Sequence, residues 1–143
     1  TRVLIRTDAW IDKLVGDEVI GLYLPNVKGH PRVAVEAARE LLRVTGHGDP
    51  QGPWLPVGAG VHTGVAYVGV VGSADTVTDF TALGDAVNVA ARLASRAGAG
   101  EILISDATYA AAVLPEEDHT HLELELKGRT EHVGVHVIKM LPR

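Results

Sequence analysis

Two polar side chains, one of them an arginine, stand one helical turn apart in the segment DAVNVAARLASRAG, residues 85–98. Asn88 and Arg92 share a stripe with Asp85 and Ser95, because offsets of three and four residues return to one face of a helix. Arginine is always charged and carries a fork-shaped donor group. Taken alone, however, such a stripe is more typical of the solvated side of a surface helix.

A second charged segment, DKLVGDEV at residues 12–19, lies between two apolar runs. Gly16 and Asp17 form a two-residue connection of the kind that closes a β-hairpin. Lys13 then lies on the first strand and Asp17 in the connection. By its local pattern the segment is an ordinary charged turn.

The stretch GAGVHTG, residues 58–64, is similar to the glycine-rich turn of dinucleotide-binding folds. Its third glycine is one residue late and no helix follows, so a pyrophosphate would find no helix N-terminus there. A bulged strand is the better interpretation. His62 within the stretch is accompanied by no nucleophile with a plausible base, so it indicates no catalytic triad.

The spacing of the C-terminal histidines gives little indication of a metal site or a catalytic triad. His119 and His121 lie two residues apart on a predicted strand and face the same side, a spacing that can chelate a metal. No third ligand is near them, so we expect an exposed strand edge instead. His132 and His136 likewise suggest no triad.

The composition favours a single α/β domain spanning residues 1–143. Hydrophobic residues make up 46% of the chain but aromatic residues only 4%, so Val, Leu, Ile and Ala must build the core. A net charge of −5, with scattered basic residues, gives no footprint for nucleic acid or an anionic membrane. The absence of cysteine suits a cytoplasmic setting, and no apolar run is long enough for a membrane span, so we expect a soluble protein.

Hydrophobic periodicity and turn residues predict the elements that position these side chains. We expect a hairpin at 9–15 and 18–24 with its second strand inside the sheet, a helix that starts at His30 and Pro31, and a loop at 45–56. Residues 57–71 indicate one long strand or a bent hairpin. Further on we expect a helix at 85–97, a strand at 101–105, a capped helix at 105–114 and closing strands at 121–128 and 131–140.

The sequence predicts which helical faces are buried. In the first helix, the residues at helical spacing are Ala34, Ala37, Ala38, Leu41 and Leu42, and we expect them to face the sheet. In the second helix, the apolar stripe is expected to comprise Val87, Ala90, Ala91 and Ala94.

Three motifs together resemble the catalytic domain of the class III nucleotidyl cyclases, the adenylate and guanylate cyclase family. They are DKLVGDEVIGLYLP, GVHTGVAYVGVVG and TDFTALGDAVNVAAR, which occur in the family's order over nearly the whole chain. The last contains the family pattern G-D-x-V-N-x-A-x-R. The resemblance implies a ferredoxin-like α/β fold, with a mixed sheet packed by helices. It also implies that two domains pair head to tail and form active sites at their interface.

The resemblance assigns roles to six positions. Asp17 matches one of two aspartates that hold a pair of divalent metal ions, Mg²⁺ or Mn²⁺. Lys13 and Thr81 match the two base-recognising positions, and threonine at the second is typical of a bacterial subgroup. The remaining three contact other parts of the substrate: Asn88 matches the ribose-orienting asparagine, Arg92 the arginine on the reacting phosphate and Lys127 the lysine on the terminal phosphates.

The implied reaction is conversion of ATP to cyclic AMP and pyrophosphate by attack of the ribose 3′-hydroxyl on the α-phosphorus. Such a reaction needs positioning and charge stabilisation, and two metal ions lower the hydroxyl's pKa and bind the leaving phosphates. Lys13 can donate to an adenine ring nitrogen and Thr81 can accept from the amino group, which favours ATP over GTP. A homodimer would supply both domains, with Lys13 and Asp17 of one chain serving different sites.

One part of the family pattern has no counterpart here. The relatives carry the other metal aspartate in an F-x-D-x-x-G motif on a first strand, whereas only 16 residues precede Asp17. We therefore expect a chain truncated at its N-terminus that lacks this strand, so the fragment itself could be inactive. The alternatives are a degenerate cyclase-like module that binds nucleotide for regulation and a plain dimerisation domain. Cyclases of this kind are also often fused to sensor domains.

Overall fold

The computed structural model describes residues 10–15, 18–23, 28–64, 67–72, 77–83, 85–112, 120–125 and 132–140. The strands are β1 (Trp10–Val15), β2 (Glu18–Leu22), β3 (Ala59–Val61), β4 (Tyr67–Gly72), β5 (Val77–Leu83), β6 (Glu101–Ser105), β7 (Thr120–Glu125) and β8 (His132–Lys139). The helices are α1 (His30–Val44), α2 (Asp85–Arg96) and α3 (Asp106–Ala112). Strands and helices therefore alternate along much of the chain, which confirms the predicted α/β class.

The predicted N-terminal hairpin is confirmed, and its first strand contains a β-bulge. Val15 pairs with Glu18, so two residues connect the antiparallel strands. The register shifts by one between Ile11 and Leu14. Two residues of β1, Asp12 and Lys13, thus oppose one residue of β2, an arrangement that re-aims side chains next to many active sites. Within the described residues β2 pairs with β1 alone, so its predicted place inside a larger sheet is not observed.

The prediction for residues 57–71 was wrong. Instead of one strand or a bent hairpin, this region contributes β3 and β4 to different sheets: β3 pairs in parallel with β6, and β4 pairs antiparallel with β5. An apolar run broken by glycine does not show which strands its two parts will pair with, because those strands are far away in the sequence. The strand β5 was not predicted, although most of its residues belong to the motif TDFTALGDAVNVAAR.

A mixed four-stranded sheet in the order β3-β6-β8-β7 forms the centre of the molecule. The strand β6 is parallel to β3 and antiparallel to β8. Its residues Ile102, Leu103 and Ile104 are all buried, as expected for a strand covered on both faces.

Helices cover the two faces of this sheet. On one face, Ile102 and Ile104 pack against Val35 and Leu42 of α1. On the other, Leu103 packs with the α2 and β8 residues Val89, Leu93, Val135 and Val137. The division follows from strand geometry, because successive side chains of β6 point to opposite sides.

The buried face of α1 agrees with its prediction in part. Ala37, Ala38 and Leu42 are buried as expected, together with Val35, whereas Ala34 and Leu41 are only half-buried. In α2 the predicted apolar stripe was incomplete. Val89 and Leu93, four residues apart, form its buried centre, while Ala90, Ala91 and Ala94 lie at intermediate depth.

Alanines on α2 allow a close approach to β3 at Gly60. A Cβ atom at this position would lie 2.8 Å from the carbonyl oxygen of Ala90 and would overlap the backbone nitrogen of Ala94. These atoms belong to the helix backbone, so they cannot rotate away as a flexible side chain could. Gly60 therefore sets how near α2 lies to the sheet.

We expect Gly60→Ala to lower the free energy of unfolding by about 1–3 kcal/mol, because it overpacks the contact between β3 and α2. Ser95→Ala is the matched control, since it changes an exposed position on the same helix and should shift stability by less than about 0.5 kcal/mol. Urea unfolding followed by circular dichroism measures both. Equal stability of Gly60→Ala and the unaltered chain would show that the contact is looser than described.

Candidate active site

The helix α2 presents Asn88 and Arg92 on one face, as predicted. Asn88 is exposed and Arg92 half-buried, and their spacing of four residues places them one turn apart. Within the described part of the chain neither side chain makes a hydrogen bond or an ion pair. By contrast, Ser95 donates its hydroxyl to the carbonyl oxygen of Ala91 on the same helix. Asn88 and Arg92 are therefore available to a ligand, and the burial of Val89 and Leu93 fixes the side from which they project.

The two expected base-recognising positions lie on strands that approach each other, and one of these strands leads into α2. Thr81 lies in β5, opposite Gly69 of β4, and α2 begins two residues after β5 ends. Lys13 lies at the bulge of β1, and β1 approaches within 8 Å of β5, Cα to Cα. Two strands that approach each other and one helix thus carry four of the six expected positions. The other two, Asp17 and Lys127, lie outside the described residues.

The H-T-G segment has a structural role. His62 Nδ1 lies 2.8 Å from Ser105 Oγ, and Thr63 Oγ1 lies 2.9 Å from Thr108 Oγ1. The Ser105 and Thr108 hydroxyls lie 3.1 Å apart, and both residues are buried. This pair of His62 and Ser105 is no catalytic dyad, because the serine is closed to substrate and caps α3 by accepting from the Thr108 N–H.

The same segment also contacts α2. A Cβ atom at Gly64 would lie 3.0 Å from the Cβ of Ala86, in the first turn of that helix. The hydroxyl network therefore holds the end of β3 against the junction of β6 and α3, while Gly64 lies against the helix that carries Asn88. The glycine and histidine of this motif thus help to position the site.

A cluster of possible metal ligands was missed in the sequence. The prediction that His121 has no third ligand nearby was wrong: ligand atoms of Asp106, His121 and His136 all lie within 4.8 Å of one another. The three residues come from α3, β7 and β8, and only the pairing of distant strands brings them together. His119, the partner expected for His121, lies outside the described residues.

This cluster does not fit a pair of hard metal ions. Mg²⁺ prefers oxygen ligands and retains several waters, whereas the cluster offers two imidazoles and one carboxylate. Among the described residues it is the one group of three or more possible ligands. The carboxylate expected to hold the catalytic metals is Asp17, which is not among them.

Comparison with known families agrees with this arrangement. Residues 24–140 match the family model described as the adenylate and guanylate cyclase catalytic domain. The chain belongs to this family.

Relatives of this cyclase domain include both adenylate cyclases and guanylate cyclases. An adenylate cyclase from Anabaena cylindrica is 28% identical over 141 residues, which cover 91% of this chain and 28% of the relative. The adenylyl cyclase CyaB from P. aeruginosa superposes with a TM-score of 0.68 at 25% identity, covering 96% of this chain and 76% of that one. The guanylate cyclase domain of RhGC from Catenaria anguillulae, in complex with GTP, gives a TM-score of 0.75 at 24% identity, with coverages of 97% and 77%.

The cyclase domain thus spans less than a third of the length of the Anabaena relative. Its mixed sheet packed by helices is the fold class of the solved cyclase structures. Among the described residues no helix combines the length and apolar character needed to cross a membrane.

We expect Thr108→Val to lower the free energy of unfolding by about 1–3 kcal/mol, because it leaves the buried Ser105 hydroxyl and the half-buried Thr63 hydroxyl with one partner fewer. Thr108→Ser keeps the hydroxyl and removes one methyl group, so its cost should be about 0.8 kcal/mol. Chemical denaturation of the cyclase domain compares them. A valine variant as stable as the serine variant would mean that the hydroxyl network contributes little.

Proposed function

We propose that this domain converts ATP to cyclic AMP and pyrophosphate. The observation that carries the proposal is the helix α2 of a cyclase fold, which presents Asn88 and Arg92 one turn apart and without partners in the described part of the chain. An uncompensated, half-buried arginine beside an exposed amide is suited to an anionic ligand that also carries hydroxyl groups.

In the proposed reaction the ribose 3′-oxygen bonds to the α-phosphorus while the bond to the bridging oxygen of pyrophosphate breaks, and the hydroxyl proton passes to water. Negative charge grows on the phosphoryl oxygens as this happens. Arg92 supplies a fixed positive charge and a fork of donors to those oxygens, and Asn88 orients the ribose. Lys127 would bind the terminal phosphates that leave. Most of the catalytic effect then comes from positioning and charge stabilisation.

In this proposal Asp17 would bind the divalent metal ions. Two Mg²⁺ or Mn²⁺ ions would help to ionise the ribose hydroxyl and neutralise the departing phosphates. A carboxylate is a suitable ligand for these ions because they prefer oxygen ligands. The histidine-rich cluster at Asp106 is a poor match for such ions.

The choice of base rests on Lys13 and Thr81. A lysine donates to the ring nitrogen of adenine, and a threonine hydroxyl accepts from its amino group. Recognition of guanine would instead favour an acidic residue at the position of Lys13. We infer that ATP is the preferred substrate and GTP the weaker one.

We further propose that the domain works as a homodimer with sites at the interface. Twofold symmetry makes the two sites equivalent, with Lys13 of one chain and Asp17 of the other serving each site. A cytoplasmic signalling enzyme, in which sensor or regulatory segments accompany this catalytic domain, is the setting that we infer.

We expect Arg92→Ala to lower the turnover of the full-length protein by a factor on the order of 10²–10³, as for loss of a fixed donor to a transition state. Arg96→Ala, one turn along the same helix, is the control and should keep turnover within about twofold. Cyclic AMP formation from ATP is measured with Mg²⁺ and with Mn²⁺.

A loss of less than tenfold in Arg92→Ala would contradict the role of Arg92 on the reacting phosphate. If the unaltered protein binds ATP but forms no cyclic nucleotide under any condition, the domain is a binding module without turnover.

We expect Lys13→Glu to shift the preference from ATP towards GTP. One charge-assisted hydrogen bond contributes about 1.5–3 kcal/mol, so the ratio of kcat/KM for the two substrates should move by roughly tenfold to a hundredfold. Lys28→Glu provides the same change of charge at an exposed position outside the proposed site. An unchanged ratio in Lys13→Glu would exclude Lys13 from base recognition.

A further inference from the structure

The cluster of Asp106, His121 and His136 lies where three adjacent elements of the central sheet meet. Asp106 begins α3 immediately after β6, His136 is on β8, and His121 is on β7, in the spatial order β6-β8-β7. His121 and His136 are direct partners in the antiparallel register, which brings their side chains together on one face. The Nε2 atoms of His121 and His136 lie 3.0 Å and 2.9 Å from Oδ1 of Asp106.

This face is the one opposite α2. Val135 and Val137, the neighbours of His136 along β8, pack into the core beneath α2. Because side chains alternate along a strand, His136 points to the other side, where α3 lies. The cluster and the pair Asn88 and Arg92 therefore occupy opposite faces of the four-stranded sheet.

Neighbouring residues hold the cluster in place. The ring of Tyr109, one turn along α3 from Asp106, stacks on His136 with centroids 3.8 Å apart and planes 10° from parallel. A glycine on β8 makes room for the carboxylate, since any Cβ atom at Gly134 would overlap Oδ2 of Asp106. Both contacts restrict the orientations of ligand groups, which lowers the cost of ordering them around an ion.

We propose that Asp106, His121 and His136 bind a transition-metal ion of the Zn²⁺ class. Two imidazoles and one carboxylate are a donor set that zinc uses in sites where a fourth position is open to water or another ligand. Tetrahedral bonds of about 2.0–2.1 Å place neighbouring ligand atoms roughly 3.3 Å apart, close to the observed oxygen–nitrogen separations. The half-exposed side chains of Asp106 and His121, at 55% and 50%, leave that fourth position accessible.

Binding would replace the contacts of Asp106 with His121 and His136 by metal–ligand bonds and would tie β7 to β8 and α3. Among the described strands β7 is an edge strand of the four-stranded sheet and pairs with β8 alone. The ion would therefore stabilise the folded chain by an amount that depends on its concentration, because the three ligands are brought together only by folding. This effect requires no nucleotide and no turnover.

The test is zinc binding to the metal-stripped protein by isothermal titration calorimetry, together with thermal unfolding. We expect one Zn²⁺ per chain and a rise in Tm of roughly 5–10 °C at a hundredfold excess over Kd. His121→Ala should weaken binding by more than the roughly 10–100-fold that loss of an outer-shell partner costs. It replaces a half-exposed side chain, so the chain should still fold. His30→Ala, outside the cluster, should bind zinc as the unaltered chain does.

A second variant tests the geometry without removing a ligand. Gly134→Ala should displace the Asp106 carboxylate and also weaken zinc binding at least about tenfold, by the same loss of ligand orientation. Co²⁺ in the unaltered chain should give the visible absorption of a four-coordinate site, absent in His121→Ala. Failure to bind one Zn²⁺ per chain, or equal affinity in the unaltered chain and His121→Ala, would overturn the proposal.

Discussion

The strand β6 is the constraint on which the rest of the described structure depends, because it is buried on both faces and paired on both edges. Ile102 and Ile104 face α1, Leu103 faces α2, and β3 and β8 lie to either side. A strand in this position must be apolar on both sides and cannot shift its register without burying or exposing the wrong residues. Its position therefore decides where both large helices lie.

The proposed chemistry follows from how α2 is held on this sheet. Gly60 admits the helix backbone close to β3, and Gly64 contacts its first turn, so the helix is fixed at its middle and at its beginning. Once Val89 and Leu93 are buried, Asn88 and Arg92 must project from the neighbouring face, about 100° around the helix. Glycines and buried apolar residues that take no part in the reaction thus determine the position of the Arg92 guanidinium. A displacement of about 1 Å can remove most of the effect of a catalytic group.

Local pattern was sufficient to predict the helices and most strands, and resemblance identified the residues of α2. The polar stripe of Asn88 and Arg92 and the capped start of α3 depend on residues close in sequence, so they could be predicted. The partners of β3 and β4 could not, since strand pairing depends on contacts far apart along the chain. The cluster at Asp106 was missed for the same reason: its ligands are 15 and 30 residues from Asp106, and only the register of β7 with β8 unites them.

We propose that nucleotide is cyclised at sites shared across a twofold dimer. Mixing Lys13→Ala with Asp17→Asn in the full-length protein tests it most directly, because each variant alone damages both of its sites. If the subunits exchange freely, half of the dimers are mixed and each has one intact site, which predicts about one quarter of the unaltered activity. A mixture that stays as inactive as either variant alone, beside a fully active unaltered protein, would contradict the shared site.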